Sequence, residues 1–166
     1  MSGEQQEPAW ALTVAAIIER EGRFLFVEET DGASPDRVLN QPAGHVEPGE
    51  GLLEAVRREV REETGLAFTP EALVGLYQLQ ARNGRDYCRV CFRGTVPAGA
   101  EALPEDPEIL GCRWLTRAEL AAAPLRSGLV LQCLDDALAG AAHPLSLVEA
   151  VRRERGPIVS EATRRR

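Results

Sequence analysis

Three glutamates at helical spacing, Glu59, Glu62 and Glu63, are the residues of this chain best suited to chemistry. Helix neighbours three and four positions apart share a side, so residues 56–63 should gather these carboxylates into a compact acidic cluster. Like charges held that close repel one another, and a folded protein resolves the conflict by keeping protons on them or by recruiting a cation. Hard oxygen donors suit Mg2+ or Mn2+, which favour carboxylate, carbonyl and water ligands in octahedral geometry; zinc is disfavoured. Arg58 stands next to Glu59 and has two readings, an ion pair that orients a catalytic carboxylate or an ordinary surface arginine. Upstream, Gly44 supplies a turn with an exposed carbonyl.

The elements that must position these groups are legible around them. Pro48-Gly49 forms a turn, Glu50 puts negative charge near the positive end of the helix dipole, and Leu52, Leu53, Val56 and Val60 make an apolar stripe. Gly65 then stops the helix with a left-handed cap. Ahead of the helix, residues 10–18 (WALTVAAII) and 23–27 are apolar runs joined at residues 19–22, a β-hairpin. Residues 30–37 (TDGASPDR) form an exposed loop, and residues 38–43 lead into the acidic stretch. Behind it, residues 73–82 and 86–96 pair around Asn83-Gly84, and a short strand follows at 109–115. Helices at 119–123 and 128–139 flank Pro124, the second packing through Leu129, Leu131, Leu134 and Leu138.

Written as a pattern, the region reads G-x5-E-x7-R-E-U-x-E-E-x-G-U, where U is apolar. Gly44, Glu50, Arg58, Glu59, Val60, Glu62, Glu63, Gly65 and Leu66 fill it without a mismatch. The stretch resembles the Nudix box, the signature of hydrolases that cleave organic pyrophosphates. The resemblance implies an α/β chain with the Nudix fold, an α/β/α sandwich with a mixed sheet; periodicity alone says only α plus β. It also implies that Glu59, Glu62, Glu63 and the Gly44 carbonyl ligate Mg2+, with Mn2+ as the alternative. Arg58, Glu59 and Glu62 are then the catalytic set, with Glu59 or a downstream acid as base. Residues 103–108 offer Glu105, Asp106 and Glu108, of which Glu108 is the first choice because it precedes an apolar run much as an extra acid does in some family members.

Pyrophosphate cleavage asks for little covalent chemistry from a protein. It asks for a water brought to an anionic phosphorus and for stabilisation of the charge that spreads, both of which divalent ions supply. Outside the box, VEET at 27–30, LNQPAGHVEPGE at 39–50, CRWLT at 112–116 and PLRSGLV at 124–130 are similar to a group of bacterial phosphatases within the family. That likeness implies nucleoside di- and triphosphates, hydroxymethylpyrimidine pyrophosphate or thiamine pyrophosphate as substrates, with Gln41 and Glu28 as expected substrate contacts. ADP-ribose and dinucleoside polyphosphates are alternative substrates. A further alternative is a nucleotide-sensing domain that binds without cleaving; such domains often carry an eroded box or an attached DNA-binding segment, and neither occurs here.

Composition bounds the rest. At 166 residues the chain is expected to form one domain over 1–150, with a flexible arginine-rich tail at 151–166. A net charge of −7 argues against a nucleic-acid surface and leaves small phosphorylated molecules as partners. No run is long and apolar enough for a membrane span and no secretory signal is legible, so the cytoplasm is the expected compartment. Monomer and homodimer both stay open. Cys88 and Cys91 form a C-x-x-C in a strand, where positions three apart face opposite sides, so they are expected to be free thiols rather than a zinc or redox pair.

Overall fold

A strand buried on both faces reads as a continuous apolar run rather than an alternation, and Val14 through Ile18 is such a run, every residue at or below 5% exposure. It forms the middle of β1 (Trp10–Arg20), the central strand in the computed structural model, which describes residues 10–148. The expected tail at 151–166 lies outside the described residues. The chain turns back through Glu21 and Gly22, both at positive φ (51° and 76°), into β2 (Arg23–Thr30). Two central residues in the left-handed region match the twist of a two-residue hairpin. After the expected loop come β3 (Arg37–Asn40) and β4 (Ala43–His45), so the approach to the box is itself two short strands.

The remaining elements are the box helix α1 (Leu52–Thr64), the hairpin β5 (Thr69–Gln80) and β6 (Asp86–Thr95), then β7 (Gly111–Leu115), α2 (Arg117–Ala121) and α3 (Leu129–Leu138). The sheet runs β3-β2-β1-β6-β5, with β4 pairing to β1 and β7 to β2. β1 and β6 are parallel from Trp10 opposite Asp86 to Ile18 opposite Gly94, and the other named pairs are antiparallel, so the sheet is mixed as expected. The second edge of β1 is shared. Thr13 to Ala15 pair with β4, whereas Glu19 and Arg20 pair with β2. The chain crosses from β3 to β4 through Gln41-Pro42 where these two partners diverge, and this places the box entrance beside the middle of the sheet.

Alternate β1 residues feed two cores. Val14, Ala16 and Ile18 pack with Ala55, Val56 and Val60 of α1, while Ala15 and Ile17 pack with Val130, Cys133, Leu134 and Ala137 of α3. Helices therefore cover both faces of the sheet. The buried stripe of α3 is Val130, Cys133, Leu134 and Ala137; of the expected leucines Leu134 is fully buried and Leu131 packs against the core, Leu129 is half-buried, and Leu138 is 52% exposed. Leucine marks a helix well, but which leucines face inward is decided by the neighbour it packs on. Cys91 packs against α3 while Cys88 is half-buried, and all four cysteines are free.

Candidate active site

The apolar stripe of α1 and its acids share a face. Val56 and Val60 are fully buried, and burying each is worth about 1.5–3 kcal/mol. The same rotation carries Glu59 and Glu63 to the edge of the sheet, where they are only 9% and 6% exposed. Glu62, one position off that face, keeps 46% of its side chain in solvent. The spacing thus brings the three together along one helix but buries two of them, which an exposed acidic face would not do.

Gly44 explains how the entrance accommodates this. A Cβ at that position would lie 2.1 Å from the Glu59 carboxyl carbon and 2.3 Å from both of its oxygens, so Glu59 rests directly on the backbone of β4. Next to it, the Ala43 N–H donates to Glu63 Oε2 at 3.0 Å. At the other end of α1, Gly65 caps the helix at φ 70°, and a Cβ there would meet the Leu103 carbonyl at 2.4 Å. The N–H groups of Leu103, Glu105 and Asp106 bond back to the carbonyls of Thr64 and Glu62. The loop carrying the downstream acids is therefore fastened to the acidic end of the helix.

Arg58 is no ordinary surface arginine. Its Nε and Nη2 donate to the two oxygens of Glu50 at 2.6 and 2.9 Å, Nη1 donates to Glu59 Oε1 at 2.8 Å and Glu62 Oε2 at 3.2 Å, and Nη2 also reaches the His45 carbonyl at 2.9 Å. A planar guanidinium can hold a bidentate carboxylate on one edge and still donate from the other. Glu50 thus acts chiefly as the anchor of Arg58, more than as the dipole partner expected of it; the Arg58 hydrogen bond holds its carboxyl below the usual range. It precedes the Gly51 cap and lies outside the helix.

Burial pushes the Glu63 carboxyl up to about 9, with the Ala43 N–H opposing and the charges of Glu29, Glu59 and Asp106 adding to the rise. Burial likewise raises Glu59, against the hydrogen bond from Arg58. Glu29, on β2, is raised by burial as well. Buried carboxylates so close together keep a proton or take a cation. The expected convergence on one point is not present: among the described residues no three acidic, histidine or cysteine side chains encircle a common centre. Arg58 spreads Glu59 and Glu62 along its guanidinium, and Glu63 turns to the Ala43 N–H. Each acid nevertheless leaves one oxygen without a hydrogen-bond partner among the described residues, namely Glu59 Oε2, Glu62 Oε1 and Glu63 Oε1. Hard donors on three neighbouring acids beside the Gly44 backbone fit a magnesium-type ion.

Two expected substrate contacts are engaged within the protein. Gln41 is fully buried, its Oε1 accepting from Arg89 at 3.0 Å and its Nε2 donating to the Val130 carbonyl at 2.7 Å, so no part of its amide faces a ligand. Glu28 pairs with Arg37 at 2.8 Å and lies 3.9 Å from Arg113, on the strand face opposite to Glu29. Glu29 is the β2 acid that joins the cluster, and the signal that could have found it is strand parity with Leu25, which packs toward α1. Glu108 is exposed and its charge bears on Glu29, whereas Asp106 bears on Glu63. Cavities of about 330 and 470 Å3 lie elsewhere, and none of Glu29, Glu59, Glu62 and Glu63 lines either.

Comparison with known proteins shows the family. The NUDIX domain model matches residues 9–131. The chain is 36% identical over 138 residues to the phosphatase NudJ of Escherichia coli, covering 82% of this chain and 89% of that protein. A NUDIX hydrolase structure from Nitrosomonas europaea superposes with a TM-score of 0.79 at 40% identity, covering 84% of this chain and 95% of that one. The NUDIX domain of Shewanella oneidensis NrtR in complex with ADP ribose shares the fold, with a TM-score of 0.67 at 18% identity over 79% of this chain and 88% of that one. The chain belongs to the NUDIX domain family, and it is a Nudix hydrolase of pyrophosphate-containing compounds. Among the described residues no helix is long and apolar enough to cross a membrane.

Proposed function

We propose that this protein is a magnesium-dependent phosphohydrolase that cleaves the pyrophosphate bond of small molecules, nucleoside di- and triphosphates or hydroxymethylpyrimidine and thiamine pyrophosphates. The observation that carries the reading is the pair of buried carboxylates, Glu59 and Glu63, set against the Ala43-Gly44 backbone with Arg58 fastened across Glu59 and Glu62. Glu59, Glu62, Glu63 and the Gly44 carbonyl would hold the ion; when bound, a divalent metal lowers the pKa of water and neutralises charge on the phosphate oxygens. Arg58 keeps Glu59 Oε1 engaged and so aims Oε2. Glu59, raised by burial, is suited to accept the proton from the attacking water. Glu63 offers its free oxygen once it loses its proton.

The phosphatase relative and the outer motifs it shares support the substrate class. The test is hydrolysis of nucleotides, hydroxymethylpyrimidine pyrophosphate, thiamine pyrophosphate, ADP-ribose and dinucleoside polyphosphates in Mg2+, with EDTA as control and products resolved as phosphate or pyrophosphate. Turnover of the first three groups that stops in EDTA is expected. An inert profile with tight nucleotide binding would instead identify a sensor, and preference for ADP-ribose would move the protein to another substrate class.

A further inference from the structure

Arg89 is a cation where the fold has least use for one. It sits in the middle of β6, between Thr13 of β1 and Tyr77 of β5, and is 8% exposed. Among the described residues no carboxylate lies within 4.0 Å of it. Taking a guanidinium out of water without a paired anion costs several kcal/mol. Besides the Cys133 thiol beside it, it contacts two neutral amides on consecutive residues: Nη1 donates to Gln41 Oε1 at 3.0 Å and Nη2 to Asn40 Oδ1 at 3.2 Å.

Those two contacts govern more than their own atoms. With both amide oxygens facing Arg89, both nitrogens must face away, and Asn40 Nδ2 donates to Glu29 Oε1 at 3.3 Å while Gln41 Nε2 donates to the Val130 carbonyl of α3 at 2.7 Å. One side chain on β6 thus ties the end of β3 to the sheet, to the acid of β2 and to α3. The tied residues are immediately followed by Pro42, Ala43 and Gly44, which present the N–H held by Glu63 and the backbone on which Glu59 rests.

We infer that Arg89 is a positioning residue that braces segment 40–44 and thereby sets the affinity of the acidic site for its divalent cation, leaving the affinity for substrate nearly untouched. The inference rests on the metal-site reading given above. Arginine is required because two amides on different side chains need two donors in a rigid plane; lysine offers a point charge on a flexible stem. Supporting groups of this kind change metal affinity by about 10–100-fold when removed.

The test titrates Mn2+ into wild-type protein and the variants Arg89→Lys, Arg89→Met and Glu59→Gln, reading free Mn2+ by its paramagnetic resonance signal, with circular dichroism reporting the fold. Both Arg89 variants should bind Mn2+ about tenfold or more weakly, with KM for a nucleotide at saturating Mn2+ within about threefold of wild type. A purely structural role would reduce the amount of binding-competent protein but not the affinity of the folded fraction. Asn40→Leu keeps the volume and releases one of the two bonds, so it serves if Arg89→Met fails to fold; it too should bind Mn2+ more weakly. Wild-type Mn2+ affinity in any folded Arg89 or Asn40 variant, alongside loss in Glu59→Gln, overturns the brace and leaves the metal site standing. Wild-type protein that binds no Mn2+, or Glu59→Gln that binds it unchanged, overturns the metal site and the brace with it.

Discussion

Gly44→Ala adds one methyl group at the point where two elements of the candidate site touch, and its consequence can be worked from the distances. The new Cβ would stand 2.1 Å from the Glu59 carboxyl carbon, whereas ordinary van der Waals contact begins at 3.4 Å, so the carboxylate must withdraw by about 1 Å or more. The backbone itself accepts alanine, because Gly44 is not among the glycines at positive φ. The obstructed group is the end of a flexible side chain, so the fold should survive at a cost of about 1 kcal/mol, the lower end for overpacking. For a chain of this size that lowers Tm by about 2–4 °C. Displacing a catalytic group by about 1 Å costs on the order of 100-fold in rate, or about 2.7 kcal/mol of barrier. Steady-state phosphate release at saturating Mg2+ and substrate, paired with thermal unfolding, should therefore show a large fall in kcat with a small fall in Tm. A cycle with Glu59→Asp isolates the cause, because the shorter side chain leaves room for the methyl group: Gly44→Ala should cost less than about threefold on the Glu59→Asp background. Wild-type kcat in Gly44→Ala, or losses that multiply fully in the double variant, would refute the steric reasoning.

Glu63→Gln should lower kcat by about 100-fold or more while leaving the fold intact, as judged by circular dichroism; near-normal turnover in saturating Mg2+ would remove Glu63 from the site. The same residue makes the metal-free protein sensitive to pH. Its folded pKa of about 9 lies above the unfolded value near 4.5, so its contribution to stability is complete below the unfolded value and is lost as pH rises toward 9. Unfolding in EDTA should show stability falling with pH across that window, Glu63 contributing up to about 1.4 kcal/mol per pH unit, a slope reduced in Glu63→Gln to what Glu59 and Glu29 leave and diminished by Mg2+; equal slopes in both proteins would dismiss the proton. Arg58→Ala frees three carboxylates at once and should reduce kcat by about 10–100-fold with a smaller change in KM, whereas full kcat would return it to the structural surface. Among the loop acids, Asp106→Asn should lower kcat more than Glu108→Gln, because the charge of Asp106 bears on Glu63 and that of Glu108 on Glu29; the reverse order would restore Glu108 to first place.

The helix that carries the acids was legible because every interaction defining it is local. Glu59, Glu62 and Glu63 meet through spacings of three and four, Gly65 ends the helix through its own φ, and the Glu21-Gly22 and Asn83-Gly84 turns are set by residues adjacent in the chain. The two Arg58 readings could not be separated that way, since Glu50 reaches it from beyond the helix start. What local spacing leaves open is a choice of face that depends on a distant partner. Glu28 and Glu29 are equivalent in composition, and only the packing of Leu25 toward α1 decides which acid joins the cluster. On α3 the same dependence turns Leu138 outward while Leu134 is buried as expected.

Chain order alone, then, specifies a capped acidic helix behind a glycine turn, because backbone hydrogen bonding and helical period act within a few residues. It carries no local mark of what surrounds that helix. Arg89 meets Gln41 and Asn40 across 48 and 49 positions, and Gln41 reaches Val130 across 89. Such contacts arise when strands from separate parts of the chain are laid side by side. The burial that raises Glu63, and the bracing of the backbone against it, come into being only with that assembly.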